Sequence, residues 1–143
     1  MLSLLSGVQS TSSALEAERI RMEVISQNIA NANTTRGPDG KPYQRQEVVF
    51  ETLLNRQLSG GMDAGTKSVH IARISKDTTE PRLVYNPGHP DANKQGMVAM
   101  PNINVHEEMV DMIAASRSFE ANLAVVKNAR SMAMQTINLG KRA

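Results

Sequence analysis

At 143 residues the chain has the length of one domain, and its 40% apolar content is nearly all aliphatic, because aromatic residues make up only 3%. Ala, Met, Leu, Val and Ile pack well along helices and serve an aromatic-rich β-core poorly. The absence of cysteine excludes disulfide frameworks, thiolate catalysis and Cys-ligated zinc. A net charge of +2, divided as −1 over residues 1–34, +2 over 35–101 and +1 over 102–143, is too thin for phosphate-backbone binding, so nucleic acid is not an expected partner.

The opening fifteen residues are uncharged but interrupted by Ser3, Ser6, Gln9, Ser10, Thr11, Ser12 and Ser13. With no basic start and no continuous apolar run, they do not read as a cleaved secretory signal. Residues 1–34 hold no proline and a single glycine, Gly7. Met1, Val8, Leu15, Met22 and Ile29 recur every seven residues, with Leu4, Thr11 and Ile25 beside them and Glu18 interrupting. The spacing predicts one long helix with an apolar seam and a solvated face at Glu16, Arg19 and Glu23.

The segment 35–104 changes character. It contains all six prolines and seven of the nine glycines. Short β-favouring runs at Tyr43–Leu54, Ser68–Ile74 and Arg82–Tyr85 are separated by turns such as Pro38-Asp39-Gly40 and Asn86-Pro87-Gly88. This is a small β-rich insert. Helical periodicity returns over 105–143, with Val105, Met112, Phe119, Val126 and Ala133 on one heptad line and Met109, Ser116, Leu123, Arg130 and Ile137 on its neighbour. Asn104 with Glu107 forms a capping box at the start, and Gly140 followed by Lys141 and Arg142 marks the stop.

The predicted fold class is therefore mainly α with a β-rich insert, the two terminal helices pairing in a coiled-coil-like manner. Each helical zone would span about 50 Å at 1.5 Å per residue, against a radius of gyration of about 13 Å for a compact 100-residue domain. Helices that long must cover each other's seams and find neighbours in other chains. The sequence reads as an elongated assembly subunit.

No enzyme site emerges. His70, His89 and His106 are 19 and 17 residues apart and lack the spacing of a helical zinc pair. Glu107, Glu108 and Asp111 are accounted for by the helix dipole at the start of the second helix. The methionines suit adaptable packing, and Met132 and Met134 point to different helix faces, so neither metal nor cofactor is expected.

The stretch Ser26-Gln27-Asn28-Ile29-Ala30-Asn31-Ala32-Asn33-Thr34 is compatible with a fraying helix end. It also closely resembles the N-terminal signature of bacterial flagellar rod and hook proteins. The following Gly37-Pro38-Asp39-Gly40-Lys41-Pro42-Tyr43-Gln44-Arg45 looks like the variant carried by proximal-rod members of that family. Further matches are Tyr85-Asn86-Pro87-Gly88-His89-Pro90, the run from Gly96 to Val105, and the run from Glu107 to Asn122. Met97 and Phe119 stand where the family commonly has Tyr, keeping bulk and losing a hydroxyl.

The resemblance implies a structural subunit of the proximal rod, without enzymatic activity or cofactor, that polymerises into a helical tube across the periplasm. Residues 1–34 and 105–143 would form the rod-core domain, with 35–104 inserted between them. Implied partners are further copies of itself, other proximal and distal rod proteins, the ring-to-rod junction protein, and the flagellar type III export apparatus through which the chain leaves uncleaved; no small-molecule substrate is implied. Val8, Leu15, Met22, Ile29, Val105, Met112, Phe119, Leu123 and Val126 are expected to form the intrachain helix seam. Asn28, Asn31, Asn33 and Asn122 are expected to supply polar contacts that fix register. A soluble coiled-coil adaptor or export chaperone is the alternative; it would need neither the insert nor the Asn86–Pro90 motif.

Overall fold

A computed structural model describes residues 2–55 and 66–140, and side chains within 7–51 and 70–140. The elements run α1 (Leu2–Ala30), β1 (Gln46–Asn55), β2 (Thr66–Lys76), β3 (Arg82–Tyr85), β4 (Met97–Met100) and α2 (Val105–Gly140). The mainly α class with a β insert holds. Met1, Lys141 and Arg142 lie outside the described residues, as does the Leu4 side chain, and Gly140 is the last helical residue rather than the first beyond the helix.

α1 ends through tightening turns: Ala32 N donates to Ile29 O at 3.3 Å and Thr34 N to Asn31 O at 3.0 Å. The chain then reverses at Gly37-Pro38-Asp39-Gly40. Gly40 N donates to Gly37 O at 3.0 Å, and Gly40 takes a φ of 71°, which proline at the second position and glycine at the fourth make inexpensive. α2 begins with a formed cap. Asn104 Oδ1 accepts from His106 N at 3.1 Å, and Asn104 Nδ2 donates to Glu107 Oε1 at 2.9 Å.

The four strands make two separate antiparallel pairs. β1 and β2 pair from Gln46↔Lys76 to Asn55↔Thr66, with the register shifting between Val49 and Phe50. Val49 pairs Arg73 and Phe50 pairs Ile71, so Ala72 is the extra residue of a bulge. The bulge has a purpose. Ile71 and Ile74 are three apart and would otherwise face opposite sides; with Ala72 looped out, both share a face with Phe50 and Val48. β3 and β4 pair from Arg82↔Met100 to Tyr85↔Met97. β4 was not anticipated, because Met97-Val98-Ala99-Met100 contains one β-branched residue and no aromatic.

α1 packs against α2 and, on another flank, against the β1–β2 hairpin. The helices are antiparallel: Asn28 near the end of α1 reaches Glu108 at the start of α2, and Arg21, two turns earlier, approaches Asp111. The enclosed apolar residues are Ala17, Val24, Ile25, Ala32, Val98, Ile103 and Ala115, with Pro101. The core is small and centred where the end of α1, the root of the insert and the start of α2 meet.

Candidate functional site: the polar junction of the two helices

At that junction two of the largest fully enclosed side chains are polar, beside the apolar Val98 and Pro101. Glu108 and Asn28 are each only 1% exposed. Asn28 Nδ2 donates to Gln46 O at 2.9 Å and to Glu108 Oε2 at 3.1 Å. Its Oδ1 accepts from Gln46 N at 2.9 Å and from the Tyr43 hydroxyl at 3.2 Å. Both donors and both acceptor positions of the amide are used. Toward Gln46 the side chain behaves as a short piece of strand, exchanging a bond in each direction with one residue's backbone.

Glu108 is held by Asn28 on one oxygen and by Arg45 Nε on the other, at 2.5 Å. Arg45 also bonds Glu47, and its far nitrogen lies 3.9 Å from Asp111 Oδ2. Arg21 continues the chain of charges, 4.0 Å from Asp111 and 3.9 Å from Glu18. Glu18 Oε2 is enclosed without a hydrogen-bond partner among the described residues. Burial pushes the Tyr43 hydroxyl pKa up, and the negative Glu108 adds to that rise. For Arg45, burial pulls downward, but the hydrogen bond and charge of Glu108, with Glu47 behind them, outweigh it and hold the guanidinium above its ordinary range. Asp77, beside the insert root, is held below the usual carboxylate range by hydrogen bonds from the Thr79 hydroxyl and backbone, with Arg45 contributing.

The expected seam residues fall as follows. Val8, Leu15, Met22 and Ile29 are half-buried on α1, and Val105, Met112, Phe119, Leu123 and Val126 are half-buried on α2. Each of the four on α1 is one residue, about 100° of helix turn, beyond a position on the line through Ala14, Arg21 and Asn28. Among the asparagines, Asn28 alone bridges the two helices. Asn31 bonds locally, donating to Gln27 O at 2.9 Å and accepting from Thr34; Asn33 is exposed, and Asn122 is half-buried.

The helix dipole is not the whole account of Glu108. It lies in the first turn of α2, as expected, but on the buried face, paired with Arg45 and Asn28. The signal that could have found it is its spacing: 108, 112, 115, 119, 122 and 126 step by fours and threes, and all six are covered. Ala17 and Ala115 escaped notice because alanine reads weakly as a seam residue.

A second cluster closes the β3–β4 connection. Asn86 N donates to Gly96 O at 2.8 Å, and Asn93 Oδ1 accepts from Gln95 N and Met97 N, both at 2.9 Å. Gly96 has φ 74°, and a Cβ there would lie 2.9 Å from Tyr85 Cε2 and 3.2 Å from Pro87 Cβ, so glycine is required. The Thr35 hydroxyl donates to Asp91 at 2.8 Å, tying this loop to the segment after α1. The histidine of the motif, His89, accepts the Asp91 backbone N–H at Nδ1.

The crevice beside Tyr43, Arg45, Asp77 and Pro101 has about 10 Å³ of free space, no more than a water needs, and larger open clefts of about 470 Å³ and about 270 Å³ lie beside Ser12, Glu16 and His70 and beside Thr35, Arg36 and Asp91. Among the described residues no three His, Cys, Asp or Glu converge as a metal site, and no helix is long and apolar enough to cross a membrane. The junction organises helices.

The comparisons with known proteins agree with a structural reading. Residues 9–38 match the family profile described as "Flagella basal body rod protein", and residues 94–139 match "Flagellar basal body rod FlgEFG protein C-terminal". The chain is similar to the flagellar basal-body rod protein FlgC of Borreliella burgdorferi, at 43% identity over 92% of this chain and 93% of that one. It is 40% identical to the FlgC protein of Yersinia enterocolitica over 98% of this chain and 100% of its relative, and 39% identical to that of Bacillus subtilis over 92% and 94%. The chain is a flagellar axial protein, and it belongs to the FlgC family of basal-body rod proteins. Its role is structural, and the family is not enzymatic. The adaptor or chaperone alternative is not favoured.

Proposed function

We propose that the chain is a subunit of the proximal rod that polymerises with further copies and with other rod proteins into a helical tube across the periplasm. The observation that carries this reading, beside the family match, is unsatisfied surface. The chain exposes 10949 Å², where a compact monomer of 15.6 kDa exposes about 7,200 Å². The excess exceeds the roughly 1,200–2,000 Å² of a standard interface. Exposed large apolar side chains recur along α2, at Val110, Ile113, Val125, Met132 and Leu139. A helical tube needs two different complementary surfaces on each subunit, and a helix apolar on opposite sides supplies one beyond its partner helix.

In this reading α1 and α2 form the coiled-coil-like rod core. Val8, Leu15, Met22 and Ile29, with Val105, Met112, Phe119, Leu123 and Val126, complete their cover when neighbours pack. Asn31, Asn33 and Asn122 add polar contacts that fix register in the tube. The ring-to-rod junction protein and distal rod proteins are the further partners. The chain reaches the periplasm through the flagellar export apparatus with α1 retained, since α1 contributes Ala17, Val24 and Asn28 to the core. Deletion of the gene in its own bacterium tests the proposal. Non-motile cells whose basal bodies stop short of a rod, restored by the intact gene, are expected; motile cells with complete rods would refute it.

A further inference from the structure

We infer that the root of the β insert acts as a register gauge for the helix pair: Arg45 and the backbone of Gln46 close on Glu108 and Asn28 only when α1 and α2 stand in one particular alignment. The inference concerns the chain alone and holds whether or not it enters a rod.

The apolar contact between the helices selects an alignment only weakly. Its fully enclosed members are few and mostly small, and the covered positions repeat every seven residues, so a slip of one heptad, about 10 Å along the axis, brings covered positions back to covered positions, with Ala17 in place of Val24 and Phe119 in place of Met112. The polar junction has no such repeat. Asn28 has all four hydrogen-bonding positions filled by three residues from two other segments, and Glu108 is enclosed between Asn28 and Arg45. A slipped pair takes Glu108 away from Asn28 and forces the root to choose: if it stays with α1 the enclosed Glu108 loses Arg45, and if it follows α2 the two-way exchange between Asn28 and Gln46 is broken. Arg21, one heptad before Asn28, is the competing partner, but Glu18 and Asp111 already flank it.

What distinguishes this arrangement from a buried asparagine acting across two helices is the third participant. The atoms that complete the junction belong to Tyr43, Arg45 and Gln46, where β1 begins, and Asp77 N donates to Arg45 O at 2.8 Å from just beyond β2. The hairpin root is thus fastened at the same place as the helix alignment. Insert docking and helix register become one event, and neither is completed without the other.

The test uses distance measurement between two spin labels on the full chain. It has no native cysteine, so Arg19→Cys with Glu120→Cys, both exposed and outside the junction, places one label on each helix. The parent is expected to give one narrow distance peak. Arg45→Met and Asn28→Leu are each expected to add a second, resolved peak, displaced by at most the 10 Å or so of the axial slip, with helicity retained. The shape-conserving Glu108→Gln is expected to show the same second peak at lower population. A single unchanged peak in Arg45→Met and Asn28→Leu overturns the inference, as does a broad distribution in the parent. Loss of all helicity in Arg45→Met alongside a single peak in Glu108→Gln also overturns it, making the junction a stabilising element only.

Discussion

Different atoms of the Asn28–Glu108–Arg45 junction carry different costs when removed. Glu108→Ala strands Asn28 and Arg45, but Arg45 is partly exposed and can turn to water; Asn28→Ala leaves both the enclosed Glu108 oxygen and the Gln46 backbone short of partners. Asn28→Ala is therefore expected to be at least as damaging, about 3 kcal/mol, read by chemical denaturation. At Gly96 the backbone is left-handed and the approach of Tyr85 is close, so Gly96→Ala is expected to cost about 1–2 kcal/mol or more. Tyr43 supplies a pH test. Its pKa is raised on folding, so its contribution to stability is fully present below about pH 10, the unfolded value, and is lost as pH rises through the folded value. In a Tyr85→Phe chain, whose tyrosinate absorbance reports Tyr43 alone, ionisation is expected at higher pH than in the unfolded chain; a midpoint at or below the unfolded one would contradict the enclosure described.

Among the elements, the helices were legible and the junction was not. Seven-residue periodicity with no internal proline sets α1 and α2, and Asn104 with Glu107 marks the start of α2 within a residue. Substituting Asn104→Ala is expected to cost about 1 kcal/mol and to fray the first turn, visible as faster amide exchange at His106 and Glu107. The burial of Glu108 defeated the sequence reading because a carboxylate in a first helical turn already has an inexpensive explanation, and only the three-dimensional approach of Arg45, 63 residues earlier in the chain, supplements it. The Asn28 motif was legible as unusual but not as chemistry, since nothing local reveals that its amide will meet Gln46. The Ala72 bulge is a similar case: two isoleucines three apart give no strand alternation, and pairing with β1 decides which residue loops out.

The whole molecule is a small core carrying long, exposed helices. α2 spans about 54 Å, and its last turns are exposed on every side. Such a chain has few partners for its outer apolar residues when alone and gains them on assembly, so ordering of the exposed helix ends, away from the enclosed junction, is expected to be coupled to association. Helicity by circular dichroism is expected to rise between about 1 and 200 μM together with larger species in sedimentation, concentrations that bracket micromolar affinities. A fully helical monomer across that range would separate folding from assembly. The central claim is that the chain is a structural part of the rod, and the most direct measurement is mass spectrometry of purified hook–basal bodies from the source bacterium carrying either the intact gene or Leu123→Asp. The intact chain is expected to copurify with the other rod proteins, and the Leu123→Asp cells are expected to yield no rod-containing particles; complete basal bodies that lack the chain would contradict the account.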